Sequence, residues 1–113
     1  MGSHRCTLVI GGATSLRGIL ADTYTVLVGS PPPEGAIAET RESRGFMIGV
    51  GETLTYAITT GDVEIATEDW WEDNISDPDE NPFEIRARSE ESLLRARAAV
   101  VATAARYGGS LLR

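Results

Sequence analysis

The alternation of apolar and polar residues divides the chain into short strands around two helical stretches. Residues 5–10 (Arg-Cys-Thr-Leu-Val-Ile) form an apolar, β-branched run closed by Gly11-Gly12, which predicts a strand. Thr14 or Ser15 then stands where a helix N-cap belongs, with Leu16, Ile19, Leu20 and Tyr24 recurring on one helical face. Gly18 weakens that helix by about 1 kcal/mol relative to Ala. Residues 25–29 (Thr-Val-Leu-Val-Gly) predict a second strand, or else prolong the helix. Ser30-Pro31-Pro32-Pro33 ends whatever precedes it, because consecutive prolines favour an extended, donor-poor backbone. Residues 34–44 show no period beyond Ala36, Ile37 and Ala38, so 30–45 is expected to be a loop.

Residues 46–50, 53–59 and 62–70 predict a three-stranded antiparallel meander with tight joins at Gly51-Glu52 and Thr60-Gly61. Leu54, Tyr56 and Ile58 alternate with threonines and Ala57, giving one apolar and one polar face. In the third strand Val63, Ile65 and Thr67 share the core face. The same period then sends Trp71 inward with Asp69, and leaves Trp70 beside Glu64 and Glu68 in solvent. Residues 71–82 are expected to be a second loop. Phe83, Ile85 and Ala87 alternate with Glu84, Arg86 and Arg88 as a further half-buried strand.

Ser89 is a good N-cap, and Glu90 and Glu91 suit the first turn of a helix over 90–107. Its Leu94, Val101 and Ala104 are expected to face the sheet, with Gly108-Gly109 as the left-handed cap. Residues 110–113 supply an optional last strand. The expected class is therefore α+β: a single, mainly antiparallel sheet with two helices packed on one face, a ferredoxin-like variant being the nearest arrangement. The order is β-α-β-β-β-β-β-α with that optional strand. The 113 residues form one domain, with residues 1–4 set aside as vector-derived.

Composition changes the picture only through charge. Apolar residues at 42% and charged residues at 24% are ordinary for a globular chain, but the net charge of −7 is unevenly spread. Residues 1–44 carry four arginines against four acids, residues 45–85 eleven acids and no base, and residues 86–113 six arginines against two glutamates. An acidic middle with a basic tail argues against direct nucleic-acid binding, which needs a basic footprint. Lysine is absent, which with abundant Ala and Gly points to a high-GC bacterial genome. A single Cys6 permits no internal disulfide, and there is no signal segment and no long apolar run, so the expected location is the cytoplasm with no membrane association.

The acids crowd into the stretch 67–82, which holds both tryptophans and Glu68, Asp69, Glu72, Asp73, Asp77, Asp79 and Glu80. Such crowding costs folding energy by self-repulsion, and it has two readings. One is a solvated acidic loop. The other is a docking surface for a basic protein, with Trp70 as aromatic anchor and Glu68, Asp69, Glu72, Asp73, Asp77 and Asp79 as steering and pairing charges. Arg86, Arg88, Arg95 and Arg97 form a small basic patch near the start of the second helix, expected to balance the acids from across the fold.

No catalytic or cofactor constellation stands out. Gly11-Gly12-Ala13-Thr14-Ser15-Leu16-Arg17-Gly18 joins a strand to a helix as a phosphate loop would, but it matches neither glycine-rich pattern and has no Lys. His4 and Cys6 share a strand face, two ligands where structural zinc wants four. Asp73, Asn74, Asp77, Asp79, Glu80 and Asn81 are hard oxygen donors without the EF-hand spacing or its Gly. The expectation is a non-enzymatic protein needing no metal or cofactor.

With its acidic stretch at 68–83 and a late strand-helix-strand unit within 62–113, the chain resembles the small acidic bacterial immunity proteins that neutralise co-encoded toxins. It is similar to the barstar-like strategy of meeting a basic nuclease with acids and an aromatic. The resemblance rests on charge layout and element order and carries over no individual residue. It implies an inhibitor of a basic toxin such as a nuclease. The alternative is a small self-associating structural or ligand-binding subunit whose acidic loop is only solvated surface.

Overall fold

The computed structural model describes residues 4–46, 49–72 and 80–113, with the backbone alone described at 44–46, 49–50 and 70–72. β1 (His4–Gly11) leads into α1 (Leu16–Val28), followed by β2 (Ala38–Phe46), β3 (Gly49–Thr59), β4 (Val63–Glu72) and β5 (Glu80–Ala87). Then come α2 (Glu90–Arg106) and a two-residue β6 (Ser110–Leu111). All strand pairs are antiparallel, in the order β2-β3-β4-β5-β1-β6. Setting β2 and β3 aside leaves β-α-β-β-α-β with β5 lying between β1 and β4, the split ferredoxin-like arrangement. The β2–β3 hairpin widens that sheet at one edge. This is the single-sheet α+β architecture expected from the sequence.

One face of the sheet supplies the core. Alternate residues Leu8 and Ile10 of β1, Ile58 of β3, Val63 and Ile65 of β4, and Phe83, Ile85 and Ala87 of β5 are buried. Against them pack Leu16, Ile19 and Leu20 of α1 and Ala96, Val100 and Ala104 of α2. Each large side chain so buried contributes roughly 1.5–3 kcal/mol, which makes this layer the main source of stability.

The helix ends follow from their capping residues. Ser15 caps α1 by accepting from the Gly18 amide at 2.9 Å, and Ser89 caps α2 by accepting from the Ser92 amide at 3.1 Å. At the end of α2, Gly108 has φ of 76°, its N–H bonds Ala105 O, and the Gly109 N–H bonds Ala104 O. That paired closure requires a left-handed residue, which glycine supplies without strain.

Several expectations need correcting. Residues 25–29 continue α1: Thr25 Oγ1 donates to Ala21 O, Leu27 packs on the core, and Gly29 ends the helix at φ of 91°. The expected loop over 30–45 contains most of β2, a strand without an apolar face because it lies at the sheet edge. There, alternation of Glu39, Arg41 and Ser43 with Thr40 and Glu42 gives no hydrophobic signal, and charges on an edge strand discourage pairing with other chains. The meander is real but begins at Ala38. Of the expected strand 46–50, Phe46 ends β2, while residues 49–50 join the expected strand 53–59 in β3, so Gly51-Glu52 is no turn; Gly51 pairs with Arg44 and Glu52 with Ser43. Of the expected loop over 71–82, residues 71–72 belong to β4 and residues 80–82 to β5, and the rest lies outside the described residues. In α2, Leu94 is 57% exposed and does not face the sheet; Ala96, Ala99, Val100, Thr103 and Ala104 are the buried positions. His4, set aside as vector-derived, is the first residue of β1 and pairs with Ala87.

Thr23 on α1 and Thr103 on α2 are fully buried, and their hydroxyls find no hydrogen-bond partner among the described residues. An unpaired buried hydroxyl costs about 1–3 kcal/mol, whereas a methyl in its place costs nothing in desolvation. Thr23→Val and Thr103→Val are therefore each expected to raise stability by about 1 kcal/mol in urea unfolding. A loss of stability in both variants would mean that the hydroxyls are satisfied.

Candidate functional site

The acidic stretch is placed by what happens to β4. Its ladder with β5 runs from Val63↔Ala87 to Thr67↔Phe83. Its ladder with β3 continues to Gly51↔Glu72. Among the described residues the buried core ends at about the same level, with Tyr56 on β3 and Thr67 on β4 as its last members on those strands. Beyond that level β2, β3 and β4 project as a three-stranded arm, and the acids 68, 69 and 72 lie on it rather than in a loop.

Two side chains stitch the strands where the ladder ends. Thr67 Oγ1 donates to Pro82 O at 2.8 Å, and Asn81 Nδ2 donates to Glu68 O at 2.9 Å. Pro82 has no N–H to offer, so side-chain donors take over the bonding of backbone carbonyls there. Asn81 is only 4% exposed, a polar side chain tolerable at that depth because it is bonded.

Strand alternation separates the acids that the sequence placed together. Glu68 is exposed on the open face of the sheet, opposite Thr55 and on the same side as Glu64 and Glu84. Asp69 is half-buried and opposite Leu54, on the face that the helices cover. Trp70 pairs with Thr53, Trp71 with Glu52 and Glu72 with Gly51. The inward and outward facing expected for the two tryptophan side chains lies outside the described residues, as do the Glu72 side chain and Asp73, Asp77 and Asp79.

The helix-side acid opens onto a cleft that sequence reasoning missed. Its volume is ≈ 310 Å³, between the start of α1 and the strands, and Arg17, Tyr56, Asp69 and Asn81 line it with the turn 13–16. The Arg17 guanidinium stands 5.7 Å from the Tyr56 ring centroid, and its Nη1 lies 3.9 Å from Glu39. Burial, then the carboxylates of Glu39 and Asp69, push the Tyr56 hydroxyl above the usual phenol range, against the lowering effect of Arg17. Asp69 itself makes no ion pair or hydrogen bond with another described residue. The signal available in the sequence was the alternation Leu54-Tyr56-Ile58 set beside Thr67-Asp69. Arg17 and Glu39 come from elements whose approach no local pattern announces.

Arg113 reaches the acidic stretch, its Nη2 3.0 Å from Glu80 Oε2, but the arginines at the start of α2 do not. Arg86 pairs with Glu84 at 3.0 Å, two residues away on its own strand. Arg88 and Arg95 lie by the β3–β4 turn, where the Arg88 amide bonds Asp62 O, Ser92 Oγ bonds Asp62, and Arg95 lines a neighbouring hollow. That is the end of β4 remote from Glu72. The expected balancing across the fold is thus a separation along it.

No helix among the described residues is long and apolar enough to cross a membrane. Comparison of the chain with protein-family models, with curated proteins and with solved structures gave no match.

Proposed function

We propose that the chain is a non-enzymatic binding protein of the immunity or inhibitor type, acting in the bacterial cytoplasm on a basic protein such as a nuclease toxin. The observation that carries this reading is the continuation of β4 to Glu72 after β5 has left it. Carboxylates fixed on a paired strand lose less freedom on binding than carboxylates on a loose loop, so the same charges give more affinity. In this reading Glu68, Asp69, Glu72, Asp73, Asp77 and Asp79 steer and pair with the partner's arginines and lysines, and Trp70 supplies the aromatic anchor.

The test is complex formation with the product of a toxin-like reading frame adjacent to its own, followed by stopped-flow association. Glu68→Arg is expected to slow association about tenfold at low ionic strength, with the effect shrinking as salt is added. The melt should hardly move, because Glu68 is exposed. A complex that is indifferent to Glu68→Arg and to salt would refute the reading.

Self-association, the alternative, would run along β2, the nine-residue edge strand exposed over residues 38–43, and would have to overcome the charges of Glu39, Arg41 and Glu42. A concentration-dependent dimer in sedimentation, abolished by Thr40→Pro, would establish it.

A further inference from the structure

Three places compete for attention: the exposed apolar residues Val26, Val28 and Leu94 on the helices, the charged edge of β2, and the cleft beside Arg17. The cleft is the one whose chemistry selects an occupant. We propose that it receives a single cationic side chain, the guanidinium or ammonium of one Arg or Lys of the basic partner. This deepens the reading of the chain as a binder of basic proteins and rests on it.

Three features select a cation. The charges around the cleft are Asp69 and Glu39 against Arg17, a net excess of one negative charge. Asp69 brings an acceptor with no partner among the described residues. Asn81 walls the cleft beside it, its almost fully buried side chain fixed by the Nδ2 bond to Glu68 O. Tyr56 offers a π face of the kind that attracts cations within about 6 Å. At ≈ 310 Å³ the cleft sits at the lower limit of small-molecule pockets, the right scale for one long side chain and too small for a larger ligand.

The chain's own Arg17 already shows the geometry, lying over that ring. Its hold is weak: the ion pair to Glu39 is at 3.9 Å, and the two side chains are 53% and 48% exposed. Exposed pairs of this length contribute little. Arg17 is therefore an internal occupant that an incoming cation displaces. Removing it should strengthen cation binding. The opposite is required if the cleft instead binds an anion through Arg17 and the start of α1.

The probe is N-acetyl-L-arginine amide, a monocation without a carboxylate, titrated into the full chain and followed by the ¹H–¹⁵N shifts of residues 13–17, 56, 69 and 81. A saturable response with a millimolar dissociation constant is expected. Asp69→Asn should weaken it about tenfold, and Arg17→Gln should tighten it several-fold. Circular dichroism melts confirm that both variants are folded. No saturable response, no effect of Asp69→Asn, or weaker binding by Arg17→Gln would each overturn the proposal. Glu68→Arg, on the opposite face, separates the two failures. If the probe binds in an Asp69-dependent way but no basic protein is engaged, the partner reading fails and the cleft stands. If a basic protein binds and responds to Glu68→Arg but not to Asp69→Asn, the cleft fails and the partner reading stands.

Discussion

Phe83→Ala is expected to destabilise the protein by about 3–5 kcal/mol, a large share of the stability of a domain this size. Phe83 is fully buried in the middle of β5, where it pairs with Leu8 of β1 on one side and Thr67 of β4 on the other. It is also the last residue of the β4–β5 ladder. Removing the ring leaves a cavity on the helix-covered face of the sheet, at the level where the β4–β5 ladder ends. Chemical denaturation should show a much lower midpoint, and the slope should stay unchanged if unfolding remains two-state. A cost below about 1 kcal/mol would mean that the core collapses onto the site and that Phe83 is not its centre.

Gly18→Ala is the second large effect, and its sign is the opposite of what helix propensity gives. Alanine in a helix interior is favoured over glycine by about 1 kcal/mol, so a helix considered alone would be strengthened. In the folded protein a Cβ at Gly18 would stand 2.6 Å from Cε1 and Cζ of Tyr107. The Tyr107 ring cannot simply swing away, because its hydroxyl donates to Asp22 Oδ2 at 2.8 Å and its main chain closes α2. The expected outcome is a net loss of about 1–3 kcal/mol, the usual cost of overpacking. Adding Tyr107→Ala should reverse the sign of the Gly18→Ala effect, which a double-mutant cycle reads directly. If Gly18→Ala stabilises the protein with Tyr107 intact, the two helices are not locked by this contact.

These two residues also show what a single sequence reveals. The buried faces of β4 and β5 were legible, because Val63/Ile65/Thr67 alternate with Glu64 and Ala66, and Phe83/Ile85/Ala87 with Glu84 and Arg86, whereas the run Leu8-Val9-Ile10 of β1 is apolar throughout and shows no face. The caps Ser15 and Ser89 were legible from local chemistry. β2 was not, because an edge strand with both faces wet has no alternation to read. Nor was the role of Gly18, whose reason lies 89 positions away in Tyr107. Residues 25–29 misled because β-branched residues tolerate a helix once tertiary packing favours it. In the candidate site, the acids were visible as a run. That they divide between two faces, and that Arg17 and Glu39 approach one of them, follows only from the sheet register and the return of α1 across it.

The gathering of acids toward one end of β4 has an effect of its own. β4 is ten residues long, so Glu72 and the Arg88–Arg95 region stand on the order of 30 Å apart. A body whose negative charge is gathered toward one end carries a dipole moment and experiences a torque in an external field. Near a cationic surface it turns its arm forward before touching; near an anionic one it turns the other way round. The net charge decides how strongly the molecule is drawn in, while the dipole decides which end arrives first. A molecule that arrives arm-first wastes fewer of its encounters.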